Sequence, residues 1–179
     1  RINRGKGVFD LVEAVKPIID KIDRVDIYGR GDLEKELVID ISKKDLKHKL
    51  RYMGLVPNRV VLDKINNSKL LVLPSKGKDG WGVVINEALL LGVPVIASDN
   101  VGSSYLLNSK LTGEAVSANN IELLSATIEK WIEKEIDKRE LSLWAESNIS
   151  PKVASAYFTE ILKYTYHNKQ IKPIAPWLK

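Results

Sequence analysis

Residues 71–99 read LVLPSKGKDGWGVVINEALLLGVPVIASD. The run Lys69 to Leu73 is apolar after its first residue and closes at Pro74, which is how a short buried strand ends. A loop with three glycines, Gly77, Gly80 and Gly82, follows. Apolar residues then recur at helical spacing to Leu91, and Gly92 supplies a helix stop. Pro94 to Ala97 is a second short strand. A buried strand, a glycine loop, a helix and another buried strand together make one β-α-β unit. Such a unit predicts a parallel sheet covered by helices.

The rest of the chain repeats this alternation. Val8, Leu11, Val12, Ala14, Val15, Ile18, Ile19 and Ile22 predict an amphipathic helix over 7–22. A strand over 25–28 ends at Gly29 and Gly31, and Asp32 stands as N-cap for a helix over 33–41. Strands are expected at 50–53 and 113–116, with short helices at 58–67 and 101–107. Longer helices are expected at 121–134, 139–148 and 151–168. We expect one open parallel sheet with helices on both faces. The expected organisation is one Rossmann-like domain over 1–169 and an irregular tail over 170–179.

Composition narrows the function. The chain has 179 residues, which suits one domain with a proper core. It has no cysteine and only two histidines, His48 and His167, far apart in sequence. A thiolate metal site is therefore excluded, and a zinc hydrolase or His-centred triad is disfavoured. No GK[ST] follows a glycine loop, which argues against a P-loop NTPase. The net charge of +5 suits an anionic ligand. Basic residues are mixed with acids along most helices, however, and the densest basic run, 43–51, has no interleaved aromatics. Nucleic acid is thus not expected as a partner. No apolar run reaches the ~18–20 residues of a membrane span.

In an open parallel sheet, ligands sit at the carboxyl ends of the strands. The loop 74–82 lies at such an end. Its glycines let backbone approach a ligand, and the N–H groups opening the next helix favour an anion, above all a phosphate. A plain β-α turn would also use glycine. Glu87 stands inside a helix that is apolar at almost every other position, so its carboxylate needs a partner. A ribose diol would serve, and so would a salt bridge. Asp79 stands just before the helix, where it can face the same cleft or act as an N-cap. Lys76 and Lys78 add positive charge to the loop, and we read them as solvated.

At these residues the chain resembles the large retaining family of GT-B glycosyltransferases known as group 1, or family 4. Its signature is an acid, seven residues and a glutamate, then EA and a GxPVIAS segment. Here the pair is Asp79 and Glu87, with Asp in place of the usual Glu and Trp81 where Phe is common. Other elements agree in order. Arg1 with Lys6-Gly7 resembles the R-x4-KG element. Residues 27–31 (IYGRG) resemble the strand and GxG turn, and 53–57 (MGLVP) the G-x-V-P turn. Gly102-Ser103-Ser104 and Thr112-Gly113 complete a match over about 1–135.

The resemblance implies a transferase that moves a sugar from a nucleotide-diphosphate sugar to an acceptor. Arg1 and Lys6 would neutralise the departing diphosphate, helped by backbone N–H groups from Gly80 to Gly82. Glu87 would hold the ribose hydroxyls, Asp79 would touch the donor sugar, Val56 would lie by the nucleobase, and Gly29, Gly80, Trp81 and Gly82 would belong to the donor site. No metal and no cofactor beyond the donor is implied. Only the donor-binding half is matched. A glycan or lipid-linked acceptor would be bound by a separate N-terminal domain, and the fragment alone would be inactive. A strand ahead of Arg1 is also expected, and without it the fragment would be poorly stable. Family habit points to bacterial surface polysaccharide or lipopolysaccharide synthesis in the cytoplasm, with the parent enzyme at the inner face of the membrane as an option. The competing reading is a nucleotide-binding Rossmann-like module without catalysis.

Overall fold

A computed structural model describes residues 1–77, 79–107, 110–166 and 171–178. Five strands are present among them: β1 (Val25–Tyr28), β2 (Leu50–Gly54), β3 (Leu71–Leu73), β4 (Val95–Ser98) and β5 (Gly113–Val116). All pairings are parallel, and they form two sheets, β1-β2 and β3-β4-β5. The helices are α1 (Val8–Val15), α2 (Glu34–Lys43), α3 (Asn58–Asn66), α4 (Val83–Leu90), α5 (Ile121–Ile132), α6 (Lys138–Ile149) and α7 (Pro151–Tyr166).

Side-chain alternation along β4 explains the layering. Ile96 faces a core shared with Val12 of α1, Leu37 of α2 and Ile128 of α5. Val95 and Ala97 face the opposite core, with Ile65 of α3, Leu89 of α4 and Leu141 of α6. Successive strand residues point to opposite sides, so one strand fully buried on both faces serves two helix layers. The expected parallel α/β architecture is therefore present.

No strand pairing joins the two sheets among the described residues, which leaves a division between them. Residues 1–7 lie across the carboxyl side of this division. The Ile2 amide donates to the Arg30 carbonyl at 3.0 Å, and the Lys76 amide donates to the Gly5 carbonyl at 2.9 Å. This segment therefore ties the loop after β1 to the loop after β3. Ile2 is its anchor, 2% exposed.

Several boundaries differ from the sequence reading, each for a local reason. The helix expected over 7–22 changes after Val15 into a 3-10 helix, Lys16–Lys21. Pro17 cannot donate to the carbonyl four residues back, and its ring crowds that carbonyl, so the chain winds tighter. Asp32 does not cap α2. Leu33 holds that position, and Glu34 reaches back to accept from the Gly31 amide at 2.7 Å. The tail expected to be irregular contains a 3-10 turn, Pro176–Leu178, held beside α6 next to the buried Ala175. The end of the final helix at 167–168, the domain boundary at 169–170 and Lys78 fall outside the described residues.

Candidate functional site

The loop between β3 and α4 is built against the segment after β4. Asp79 and Val101 form an isolated parallel bridge, and the Asp79 amide donates to the Asn100 carbonyl at 3.0 Å. The Gly80 and Trp81 carbonyls accept from the Gly102 and Ser103 amides, each at 2.9 Å. These bonds hold residues 79–81 as an extended rung at the carboxyl edge. Gly82 then turns the chain into α4 with φ 76°, and no side chain among the described residues caps the helix. A Cβ at Gly82 would stand 2.4 Å from Val101 Cγ1, so glycine is required by both conformation and space. The first N–H groups of α4 are thereby presented at the edge of the sheet.

Lys6 reaches this loop from the other side. Asn3 accepts from the Lys6 amide at 3.1 Å, and Gly7 follows with φ 67°. A Cβ at Gly7 would sit 1.8 Å from the Pro74 carbonyl oxygen, so only glycine lets this segment lie so close to the loop. Lys6 Nζ is 2.6 Å from Asp79 Oδ1. Asp79 Oδ2 accepts from Ser75 Oγ at 2.8 Å, and Oδ1 also accepts from the Gly80 amide at 3.1 Å. Burial is the largest single influence on the Asp79 carboxyl and opposes its charge. The bonds from Lys6 and Ser75, the Lys6 charge and the Gly80 amide outweigh it together and hold the pKa below its ordinary value.

The other residues singled out from sequence fall into two groups. Gly29 donates to the Gly54 carbonyl and its own carbonyl accepts from Tyr52 Oη, both at 2.9 Å. Val56 lies two residues beyond Gly54, half-buried, so both mark the carboxyl side of β1 and β2. Arg1 lies beside Gly29, its side chain exposed. Glu87 is half-buried, and no hydrogen bond or ion pair joins its carboxylate to any described residue. It stands one helical turn after Val83, which is 61% exposed, so α4 is buried on one flank only. The expectation of a helix enclosed on most sides is corrected here: Ile85, Ala88 and Leu89 form its buried face.

Lys76 is not simply solvated. Its Nζ pairs with Asp10 Oδ2 at 3.0 Å, which fastens the loop to α1. Trp81 Nε1 donates to Asn86 Oδ1 at 2.9 Å, and the ring meets Tyr105 edge-on at 5.7 Å. Sequence reasoning passed over Ser75 and Asn100, whose side chains bond Asp79 and the Lys76 carbonyl. Their only signal was position: each stands within two residues of a strand end. At the edge, the recess between Asp10, Pro74, Ser98 and Asn120 has a volume of about 10 Å³. That is room for about one water, so a larger ligand would rest on an open surface.

The family model "Glycosyl transferases group 1" matches residues 1–147. The chain is 29% identical over 170 residues to the capsular polysaccharide biosynthesis glycosyltransferase CapM of Staphylococcus aureus, covering 93% of this chain and 44% of that protein. It is 32% identical over 143 residues to the putative teichuronic acid biosynthesis glycosyltransferase TuaC of Bacillus subtilis, covering 79% and 34%. Among solved structures, Anabaena HepE in complex with UDP superposes with TM-score 0.78 at 20% identity, covering 91% of this chain and 46% of that one. The chain thus spans less than half the length of these relatives.

Proposed function

The chain belongs to the group 1 glycosyl transferases, and from that premise we propose that it is the donor-binding half of a glycosyltransferase that uses a nucleotide-diphosphate sugar. Its Rossmann-like architecture is that of the C-terminal domain of the GT-B fold. The observation that carries the reading is the Lys6–Asp79 pair at the carboxyl edge, beside the uncapped start of α4. A lysine there can exchange its carboxylate partner for a phosphate, and the helix N-terminus adds a second source of positive potential.

In the proposed reaction, the bond between the sugar's anomeric carbon and the terminal phosphate oxygen breaks, and the diphosphate leaves with the electron pair. A new bond forms from the anomeric carbon to an acceptor hydroxyl oxygen, which gives up its proton to the departing diphosphate oxygen. Charge on the leaving group grows as the bond breaks. Lys6, Arg1 and the N–H groups of 80–82 are therefore worth most in the transition state. With these cations in place the step needs no metal. Glu87, unpartnered among the described residues, is free to accept from the ribose hydroxyls. Gly29 and Val56 border the nucleoside, and Asp79 with Trp81 borders the sugar. We assign retention of configuration from the family signature. The names of the relatives support a role in bacterial capsule or related polysaccharide synthesis. A separate domain would bind a glycan or lipid-linked acceptor and leave this chain without turnover. No helix among the described residues is long and apolar enough to cross a membrane; we place the reaction on the cytoplasmic side.

The test is calorimetry on the chain with UDP, GDP and ADP and the corresponding sugar nucleotides. Binding of one base that weakens in both Lys6→Ala and Glu87→Gln supports the reading. Binding that ignores both substitutions overturns the residue roles, and binding without turnover in the full-length enzyme favours a non-catalytic module.

A further inference from the structure

Four aromatic rings form a continuous line away from the loop. Trp81 meets Tyr105 edge-on at 5.7 Å, Tyr105 meets Trp177 at 6.2 Å with the planes tilted by 43°, and Trp177 meets Tyr157 edge-on at 5.4 Å. These separations and angles lie in the attractive range for aromatic pairs. Each ring comes from a different element: the loop before α4, the 3-10 turn Ser104–Leu106, the turn Pro176–Leu178, and α7. The backbone follows the same path at its start. Ser103 binds the Trp81 carbonyl through its amide and the Gly82 carbonyl through its hydroxyl at 3.3 Å.

The line ends on a fixed support. Trp177 packs against the core of α4 and α6, next to Ala175, which is 6% exposed. At the other end Trp81 is 45% exposed, so its own burial does little to orient it. What fixes the indole is Asn86 on one side and Tyr105 on the other. Tyr105, itself 40% exposed, takes its orientation from Trp177.

We propose that Trp177 and Tyr105 are positioning residues for the loop 79–82, so that the turn Pro176–Leu178 is a functional part of the donor site although it is remote from it in sequence. The proposal rests on the reading of that loop as donor-binding, and it takes no role in the chemistry for either ring. Removing Trp177 frees Tyr105 to change rotamer. Trp81 then loses one of its two restraints, and its indole no longer has one defined position beside the Gly80–Gly82 backbone.

The experiment is an indole spectrum of the chain labelled with ¹⁵N-tryptophan, with the Trp81 signal identified by its loss in Trp81→Phe. In Trp177→Ala and Tyr105→Leu the Trp81 signal should shift or broaden, whereas the Trp131 signal, from the opposite core, should not move. Trp177→Phe should restore the Trp81 signal. Affinity for the preferred nucleoside diphosphate should fall roughly 3- to 10-fold in the first two variants and recover in the third, as expected for the loss of one aromatic contact. An unchanged Trp81 signal in folded Trp177→Ala or Tyr105→Leu overturns the proposal. If Trp177→Ala does not fold, Tyr105→Leu breaks the same line at its middle and decides alone. Wild-type chain that binds no nucleoside diphosphate would sink the donor-site reading, and the spectral arm would still decide whether the line positions Trp81.

Discussion

Lys6 Nζ lies 2.6 Å from Asp79 Oδ1, joining residues 73 apart in the chain. The two side chains are 31% and 18% exposed, so the pair is partly withdrawn from water but reachable. The acid and the base that the family resemblance assigns to different parts of the donor thus satisfy each other. In the proposed donor complex, the diphosphate would draw Lys6 from Asp79, or share it. Ser75 and the Gly80 amide remain on Asp79 in either case, so the carboxylate is not left without partners.

Asp79 gives the chain an acid-sensitive contribution to stability. Its folded pKa is depressed below the ordinary value of 3.8. A depressed carboxyl stabilises the fold fully above its unfolded pKa, and that contribution is lost as pH falls through the folded value. Lys6→Ala removes the cation and should destabilise by about 1–2 kcal/mol at pH 7, more than an exposed pair and less than a fully buried one. Urea unfolding should show this gap closing below pH ~3.8, where Asp79 protonates in the unfolded chain. A gap that stays constant down to pH 2 would mean that Lys6 acts by packing alone.

Gly7→Ala should be the most damaging single methyl group near the site. The new Cβ would stand 1.8 Å from a backbone oxygen, at Pro74, and φ would have to remain near 67°. A loss of about 3 kcal/mol or more is expected, because neither backbone can yield cheaply. Gly82→Ala should cost less, since its obstacle is the Val101 side chain, which can move. Thermal melts that place the two variants in the reverse order would contradict the packing described between residues 1–7 and the loop.

Much of this arrangement was legible in sequence, and the parts that were not share a cause. Strand ends at Tyr28, Gly54 and Leu73 are marked by Gly or Pro, so they fall within a residue or two of their expected places. The glycine loop at the carboxyl edge follows from the same markers. Pairing over long range leaves no such mark. Nothing near Lys6 in the chain names Asp79, and nothing near Lys76 names Asp10. Apolar composition also overstated the burial of α4, because periodicity reports which residues can be covered but not whether a neighbour covers them. Val83 is 61% exposed in spite of its type.

Glu87 is the residue for which stability and binding should separate. Its carboxylate makes no hydrogen bond or ion pair with any described residue. It is only half-buried, so its charge remains hydrated. Glu87→Gln therefore removes no protein contact, and the melting temperature should stay within the small range of ordinary surface substitutions. Donor binding should respond differently. A carboxylate accepts two hydroxyl bonds more strongly than an amide oxygen accepts one, and bonds to a charged group contribute ~1.5–3 kcal/mol each. Calorimetry should thus show affinity for the nucleotide sugar falling by roughly 10-fold or more, while a 2′,3′-dideoxy analogue of the same nucleotide loses little on the substitution. Equal losses for both ligands would place Glu87 away from the ribose. A large fall in melting temperature with unaltered affinity would make it a structural residue of α4.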